Sequence, residues 1–195
     1  GDITVYSSVE KLPDDMDLTV IAVNARAAVE AAEAAARKGT ANIIIIAGGF
    51  GETGGEGKKL ESRLAELPER YGCRILGPNT LGVFIPSVNL DTIFVEHGDR
   101  ALAEGGQIAF ITQSGSVGTE SLGLASNSGF GLRAFVGIGN KVDLNESDFL
   151  SWFGQDSETN CLAFYVESIE GGRQFLNDAR QVSRKKPVIM LKAGR

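Results

Sequence analysis

Short runs of consecutive apolar residues alternate along this chain with longer stretches that stop at glycine or proline. Asp17-Leu-Thr-Val-Ile-Ala-Val23 and Asn42-Ile-Ile-Ile-Ile-Ala47 carry apolar side chains at successive positions. Such strands are buried on both faces. Ala25 to Lys38 is rich in alanine and glutamate and meets Gly39, which predicts a helix with a glycine past its end. Glu56 to Tyr71 predicts a helix ended by Gly72, and Arg74-Ile-Leu76 a third strand. Doubly buried strands joined by helices run parallel.

The rhythm breaks over residues 77–106, which hold Gly77-Pro78, Gly82, Pro86, Gly98 and Gly105-Gly106. A linker with short strand pairings is expected there, with a domain boundary near residue 100. Beyond it, strands are predicted at Gln107–Thr112, Leu132–Ile138, Cys161–Val166 and Val188–Leu191. Helices are predicted at Val117–Ser128, closed by Gly129, at Glu146–Phe153 with Asn145 as cap, and at Arg173–Lys185. The expectation is an α/β fold of two tandem doubly wound units, 1–100 and 101–195. The first shows no opening strand–glycine loop–helix and the second ends on a bare strand, so a piece of a larger protein is expected.

Composition closes off several functions. Lys and Arg sum to 19 against 25 Asp and Glu, a net charge of −6, which speaks against nucleic acid as the main partner. Arg184-Lys185-Lys186, the one basic cluster, reads as a solvated helix end. The longest aliphatic run, Ile43 to Ala47, is about fourfold too short to cross a bilayer. No signal peptide is seen, so a soluble cytoplasmic protein is expected. Cys73 and Cys161 have no metal or redox spacing and read as buried thiols. The single histidine, His97, reads as a surface residue, and no metal site is expected.

In open α/β sheets ligands sit beyond the carboxyl ends of the strands. Gly49-Phe-Gly51-Glu-Thr-Gly54 spells G-x-G-x-x-G, which permits a dinucleotide reading, a different cofactor, or a plain tight turn. Ser114-Gly115-Ser116 joins a strand to a helix and reads either as an anion site or as helix capping. Gly137-Ile-Gly139-Asn140-Lys141-Val-Asp143 reads either as site lining or as a capped turn. Glu167 ends a strand and could orient a catalytic group; the alternative is a solvated loop acid.

Together these loops resemble the NDP-forming acyl-CoA synthetases, relatives of the succinyl-CoA synthetase α chain. The resemblance rests on Val5-Tyr-Ser-Ser-Val-Glu-Lys-Leu-Pro13, Asp17–Val23, Ala47-Gly-Gly-Phe-Gly-Glu-Thr-Gly54 and Gly77-Pro-Asn-Thr-Leu-Gly82. It continues through Ile111-Thr-Gln-Ser-Gly-Ser116, Val136-Gly-Ile-Gly-Asn-Lys141, Phe164-Tyr-Val-Glu167 and Lys186–Arg195. Eight such pieces in order are specific where each alone is weak.

The resemblance implies part of a Rossmann-like CoA-binding domain followed by a flavodoxin-like ligase domain. It implies a reversible reaction in which acyl-CoA, NDP and phosphate give a small carboxylic acid, CoA and NTP. An acyl phosphate and a phosphohistidine carry the reaction, and Mg accompanies the ATP or ADP. Asn24, Ile46, Ala47 and Gly48 would contact CoA, and Pro78 and Asn79 would lie near the acyl group. Asn24 stands where the family usually has proline, and Thr80 where the succinyl branch has cysteine. Ser114, Gly115 and Ser116 would hold the phosphate, and Glu167 would orient the phosphohistidine, whose loop follows the strand matching Val188–Ala193. His97 does not align with it. An ATP-grasp subunit or domain is the expected partner, and an oligomer the expected assembly. Two rivals remain: a non-catalytic CoA-sensing module regulating an attached enzyme, and an NAD-binding module resting on Gly49 to Gly54 alone.

Overall fold

The computed structural model describes residues 3–14, 16–95, 106–128 and 131–194. His97, Gly129 and the boundary expected near residue 100 lie outside the described residues.

The first sheet is fully parallel, in the order β1 (Leu18–Ile21), β2 (Asn42–Ile45), β3 (Arg74–Leu76). Helix α1 (Ala25–Arg37) returns the chain from β1 to β2. Its buried face is Ala28, Val29, Ala32, Ala35 and Ala36, nearly all alanine, so the helix backbone lies close to the sheet. Asn24 caps it: Ala27 N donates to Asn24 Oδ1 at 3.1 Å. The helix expected over 56–71 is two helices, α2 (Gly55–Ala65) and α3 (Leu67–Tyr71). Pro68 is the cause: it has no N–H for the i−4 carbonyl and its ring crowds that carbonyl. Ile43, Ile45, Phe50, Leu64 and Ile75 fill the core beneath these helices.

The second sheet has six strands in the order β5-β4-β7-β6-β8-β9. Strands β6 (Ile108–Thr112), β7 (Leu132–Gly137), β8 (Cys161–Val166) and β9 (Val188–Lys192) are parallel. The short strand β4 (Val83–Ile85) pairs antiparallel with β7 and with β5 (Leu90–Asp91). These are the pairings expected of the 77–106 segment, and they extend the second sheet. Helix α4 (Gly115–Ser128) covers one face over Phe84, Leu122 and Phe135. Helices α5 (Glu146–Gln155) and α6 (Gly172–Val182) cover the other over Leu150, Phe153, Phe164 and Phe175. Asn145 caps α5, accepting from Ser147 N at 2.9 Å, while Asn145 N donates to Asp148 Oδ2 at 3.0 Å.

The two sheets share a joint. After β7 the chain runs along the free edge of β3: Leu144 N donates to Ile75 O at 3.1 Å and Val142 N to Gly77 O at 3.0 Å. Asp143 accepts from Ile75 N at 2.7 Å and from Arg74 Nε at 3.0 Å. Arg74 also reaches Asp148 at 3.1 Å, and these carboxylates hold its guanidinium above its ordinary pKa. Ile44 and Leu76 of the first sheet pack into the same apolar cluster as Val136 and Ile138 of the second.

Candidate functional site

Three loops leave the carboxyl ends of β1, β2 and β3, and two of them are bonded together. Asn79 N donates to Ala47 O at 2.9 Å. Asn79 is exposed, with φ of 58°, a left-handed conformation that asparagine tolerates. Its side chain lies over Gly48, where a Cβ would come within 3.1 Å of Asn79 Oδ1. Ile46 and Ala47 are half-buried, and Asn24 stands at the head of α1 with its side chain occupied by the cap.

The turn after β2 is closed by its own acids. Glu52 Oε1 accepts from Gly49 N at 2.5 Å and from Phe50 N at 3.1 Å. Glu61 Oε2, from α2, accepts from Gly51 N at 3.0 Å. Burial pushes the Glu52 carboxyl up, but the Asn140 side chain and the Gly49 and Phe50 amides outweigh it and hold it below the usual carboxylate range. A pyrophosphate needs those amides free and meets two carboxylates instead. The G-x-G-x-x-G motif here is a self-satisfied turn, and the dinucleotide reading falls.

The turn after β6 is built differently. Ser114 N donates to Thr112 Oγ1 at 3.1 Å, and Ser114 Oγ accepts from Val117 N at 3.4 Å as the cap of α4. Ser114 Oγ and Ser116 Oγ lie 3.3 Å apart. Gly115 and Ser116 are exposed, and their amides precede the first donor of the helix ladder. Among the described residues, no carboxylate is bonded to this turn. Capping and anion binding are thus compatible: the serine that caps leaves two amides directed outward at the positive end of a helix dipole.

Gln113 carries this turn to Glu167. Its Oε1 accepts from Glu167 N at 2.9 Å and Ser168 N at 3.2 Å, so the loops after β6 and β8 are bonded to each other. The Glu167 residue itself is exposed.

The segment after β7 ties both groups of loops together. Asn140 N donates to Pro78 O at 2.9 Å, and Asn79 Nδ2 to Asn140 Oδ1 at 3.3 Å. Asn140 Nδ2 donates to Glu52 Oε2 at 2.6 Å and Glu61 Oε2 at 2.7 Å. Gly139 allows this approach, because a Cβ there would sit 2.2 Å from Pro78 O, at a φ of 58°. The next residue faces the other way. Lys141 Nζ donates to Glu146 Oε2 at 3.0 Å, Ser168 O at 3.0 Å and Ser168 Oγ at 3.1 Å. Lys141 and Glu146 are both buried. Thr80 is buried as well, donating to Gly137 O at 2.5 Å and accepting from Gly82 N at 2.9 Å. Its hydroxyl fastens the Gly77–Gly82 loop to the end of β7.

Comparison with known proteins decides what these loops belong to. Residues 1–49 match the CoA binding domain and residues 105–195 the succinyl-CoA ligase like flavodoxin domain. The α subunit of an ADP-forming acetate–CoA ligase from Pyrococcus furiosus is 41% identical over 98% of this chain and 40% of its own length. The chain belongs to the NDP-forming acyl-CoA synthetase family. An ADP-forming 4-hydroxybutyrate–CoA ligase from Nitrosopumilus maritimus, 32% identical over 97% of this chain and 27% of its own length, widens the circle beyond acetate. The dinucleotide-forming acetyl-coenzyme A synthetase 1 of Ca. Korarchaeum cryptofilum, solved with phosphate and ADP, superposes with a TM-score of 0.90 at 32% identity. That match covers 98% of this chain and 40% of the synthetase. The chain therefore spans about two fifths or less of these relatives.

Within this synthetase piece, Ala47, Gly48, Pro78 and Asn79 form one cluster, and Ser114, Gly115, Ser116 and Glu167 a second. Asn24 joins neither through a hydrogen bond. The sequence reading missed the carboxylates of Glu61 and Glu146 and the joining amide of Gln113. Glu61 and Glu146 read as ordinary helix acids by composition. Only the contact of two loops far apart in sequence singles them out. Among the described residues, no group of three His, Cys, Asp or Glu side chains is arranged to hold a metal ion, and no helix is long and apolar enough to cross a membrane.

Proposed function

We propose that this chain supplies the CoA-contacting and phosphate-holding surfaces of a cytoplasmic NDP-forming acyl-CoA synthetase. The enzyme interconverts acyl-CoA, NDP and phosphate with a carboxylic acid, CoA and NTP. An ATP-grasp subunit or domain completes it and holds the nucleotide with Mg. CoA supplies the thiol that carries the acyl group. The uncharged residues Asn24, Ile46, Ala47 and Gly48, the last two small, suit a long flexible ligand lying against backbone, and Pro78 and Asn79 face its acyl end. Ser114, Gly115 and Ser116 hold the transferred phosphoryl group with unshared amides and hydroxyls. Glu167 orients the histidine that carries that group.

The observation that carries this reading is the open Ser114–Ser116 turn, bonded through Gln113 to the Glu167 loop. Donors for an oxyanion and an acceptor for an imidazole N–H thus lie on two loops bonded to each other. The test is Glu167→Gln in the full-length protein, followed by labelling with γ-labelled NTP. Phosphoenzyme formation is expected to fall by two or more orders of magnitude while CoA binding is kept. Labelling at the parent rate overturns the role of Glu167.

A further inference from the structure

We propose that Lys141 is a positioning residue for Glu167, acting through Ser168; the inference rests on the reading of Glu167 given above. The ammonium group has three N–H donors, and all three are used: one on Glu146 and two on Ser168. Glu146 uses its other oxygen to accept from Glu170 N at 2.6 Å. Gln113 holds the amides of Glu167 and Ser168. The backbone from Glu167 to Glu170 is therefore gripped at four points, while the Glu167 side chain projects from it into the open.

The cost of this arrangement points to position rather than simple packing. Both members of the ion pair are withdrawn from water, with side-chain exposures of 2% and 0%, and Lys141 takes a φ of 61°. A buried pair is often replaceable by apolar side chains without loss of stability, and left-handed backbone at a lysine is a strained state. What the pair secures is the course of the short loop that carries Glu167, the loop that Gln113 bonds to the Ser114–Ser116 turn. Lys141 also adjoins Asn140, so the loop that grips Pro78 and Asn79 is the same one that fixes Ser168. Displacing an orienting carboxylate by a small distance costs far more in rate than in binding.

The test uses the full-length protein and replaces the pair together, Lys141→Met with Glu146→Gln, so that no buried charge is stranded. Melting temperature and CoA affinity are expected to stay near the parent values, with phosphoenzyme labelling slowed at least tenfold. Ser168→Ala keeps the ion pair and removes one acceptor, and is expected to slow labelling several-fold; it serves alone if the double variant does not fold. Added to Glu167→Gln, either change is expected to cause no further loss, because residues acting through one group are non-additive. Labelling within twofold of the parent in the folded variants overturns the proposal, as does full additivity with Glu167→Gln. If Glu167→Gln itself labels like the parent, the reading of Glu167 and this proposal fail together; if only the Lys141 and Ser168 variants are unimpaired, this proposal fails alone.

Discussion

Two strand-to-helix turns lie at the carboxyl ends of the two sheets, and they carry opposite electrostatics. Gly49–Gly54 has its amides filled by Glu52 and Glu61. Gln113–Ser116 is capped by a neutral hydroxyl and leaves the amides of Gly115 and Ser116 to be used. A glycine-rich loop before a helix is thus not an anion site by virtue of its glycines. What decides is whether the protein has already placed its own anion there.

The sharpest way to break this contrast is to give the second turn the first turn's acid. Gly115→Asp has room, since an added Cβ meets nothing closer than Leu81 at 3.8 Å, and an aspartate in the first turn of a helix is favourable for folding. Phosphoenzyme labelling is expected to fall about a hundredfold or more with the melting temperature unchanged or raised, the scale of losing oxyanion donors. A labelling rate near the parent's shows that the turn holds no phosphate.

Removing the hydroxyls tests how much they add to the amides. Ser114→Ala with Ser116→Ala is expected to slow labelling about tenfold, less than the loss of a donor pair, and to lower stability by about 1 kcal/mol through the lost cap. A stability change without a kinetic one reduces the serines to caps.

Glu52→Gln probes the closed turn. Because the folded carboxyl ionises below its ordinary 4.5, its contribution is complete above that pH and is lost as pH falls through the folded value. Urea unfolding at neutral pH is expected to show a loss of about 1 kcal/mol, the scale of a hydrogen bond to a charged group discounted for exposure. That deficit should shrink toward zero in acid, with labelling unchanged. A deficit that is the same at both pH values removes the charge from the account.

Glu61→Gln is the mildest change. Its amide can still accept from Gly51 N, so a loss under about 1 kcal/mol is expected, read from the same unfolding curves. A larger loss would mean that the Asn140 contact carries much of the joint between the sheets.

Much of the fold is legible in the chain. The run Ile43–Ile45 is buried on both faces as expected, while Val20 of β1 is exposed. The rhythm breaks after β3 as read, but β4 and β5, ahead of the boundary expected near residue 100, already belong to the second sheet. The reading failed where local pattern was overridden. Pro68 divides a helix whose periodicity runs on, and a motif spelled G-x-G-x-x-G is closed by Glu52, three residues from its first glycine and within the motif itself. The Gly137–Asp143 segment left two readings open, and the structure makes it the joint: Asn140 turns to the first sheet and Lys141 to the second.

The sequence by itself determined the alternation of strands and helices, the helix cap at Asn145, and the kinship carried by eight short motifs in order; the cap at Asn24 came from the structure. These depend on residues within a few positions of one another, where propensity and capping act. Tertiary structure alone decided which acids matter. Glu61 meets Asn140 across 79 residues, and Lys141 meets Ser168 across 27. Such pairs depend on where two sheets place their loop ends, and a hydrogen bond between distant loops leaves no trace in the local pattern of either.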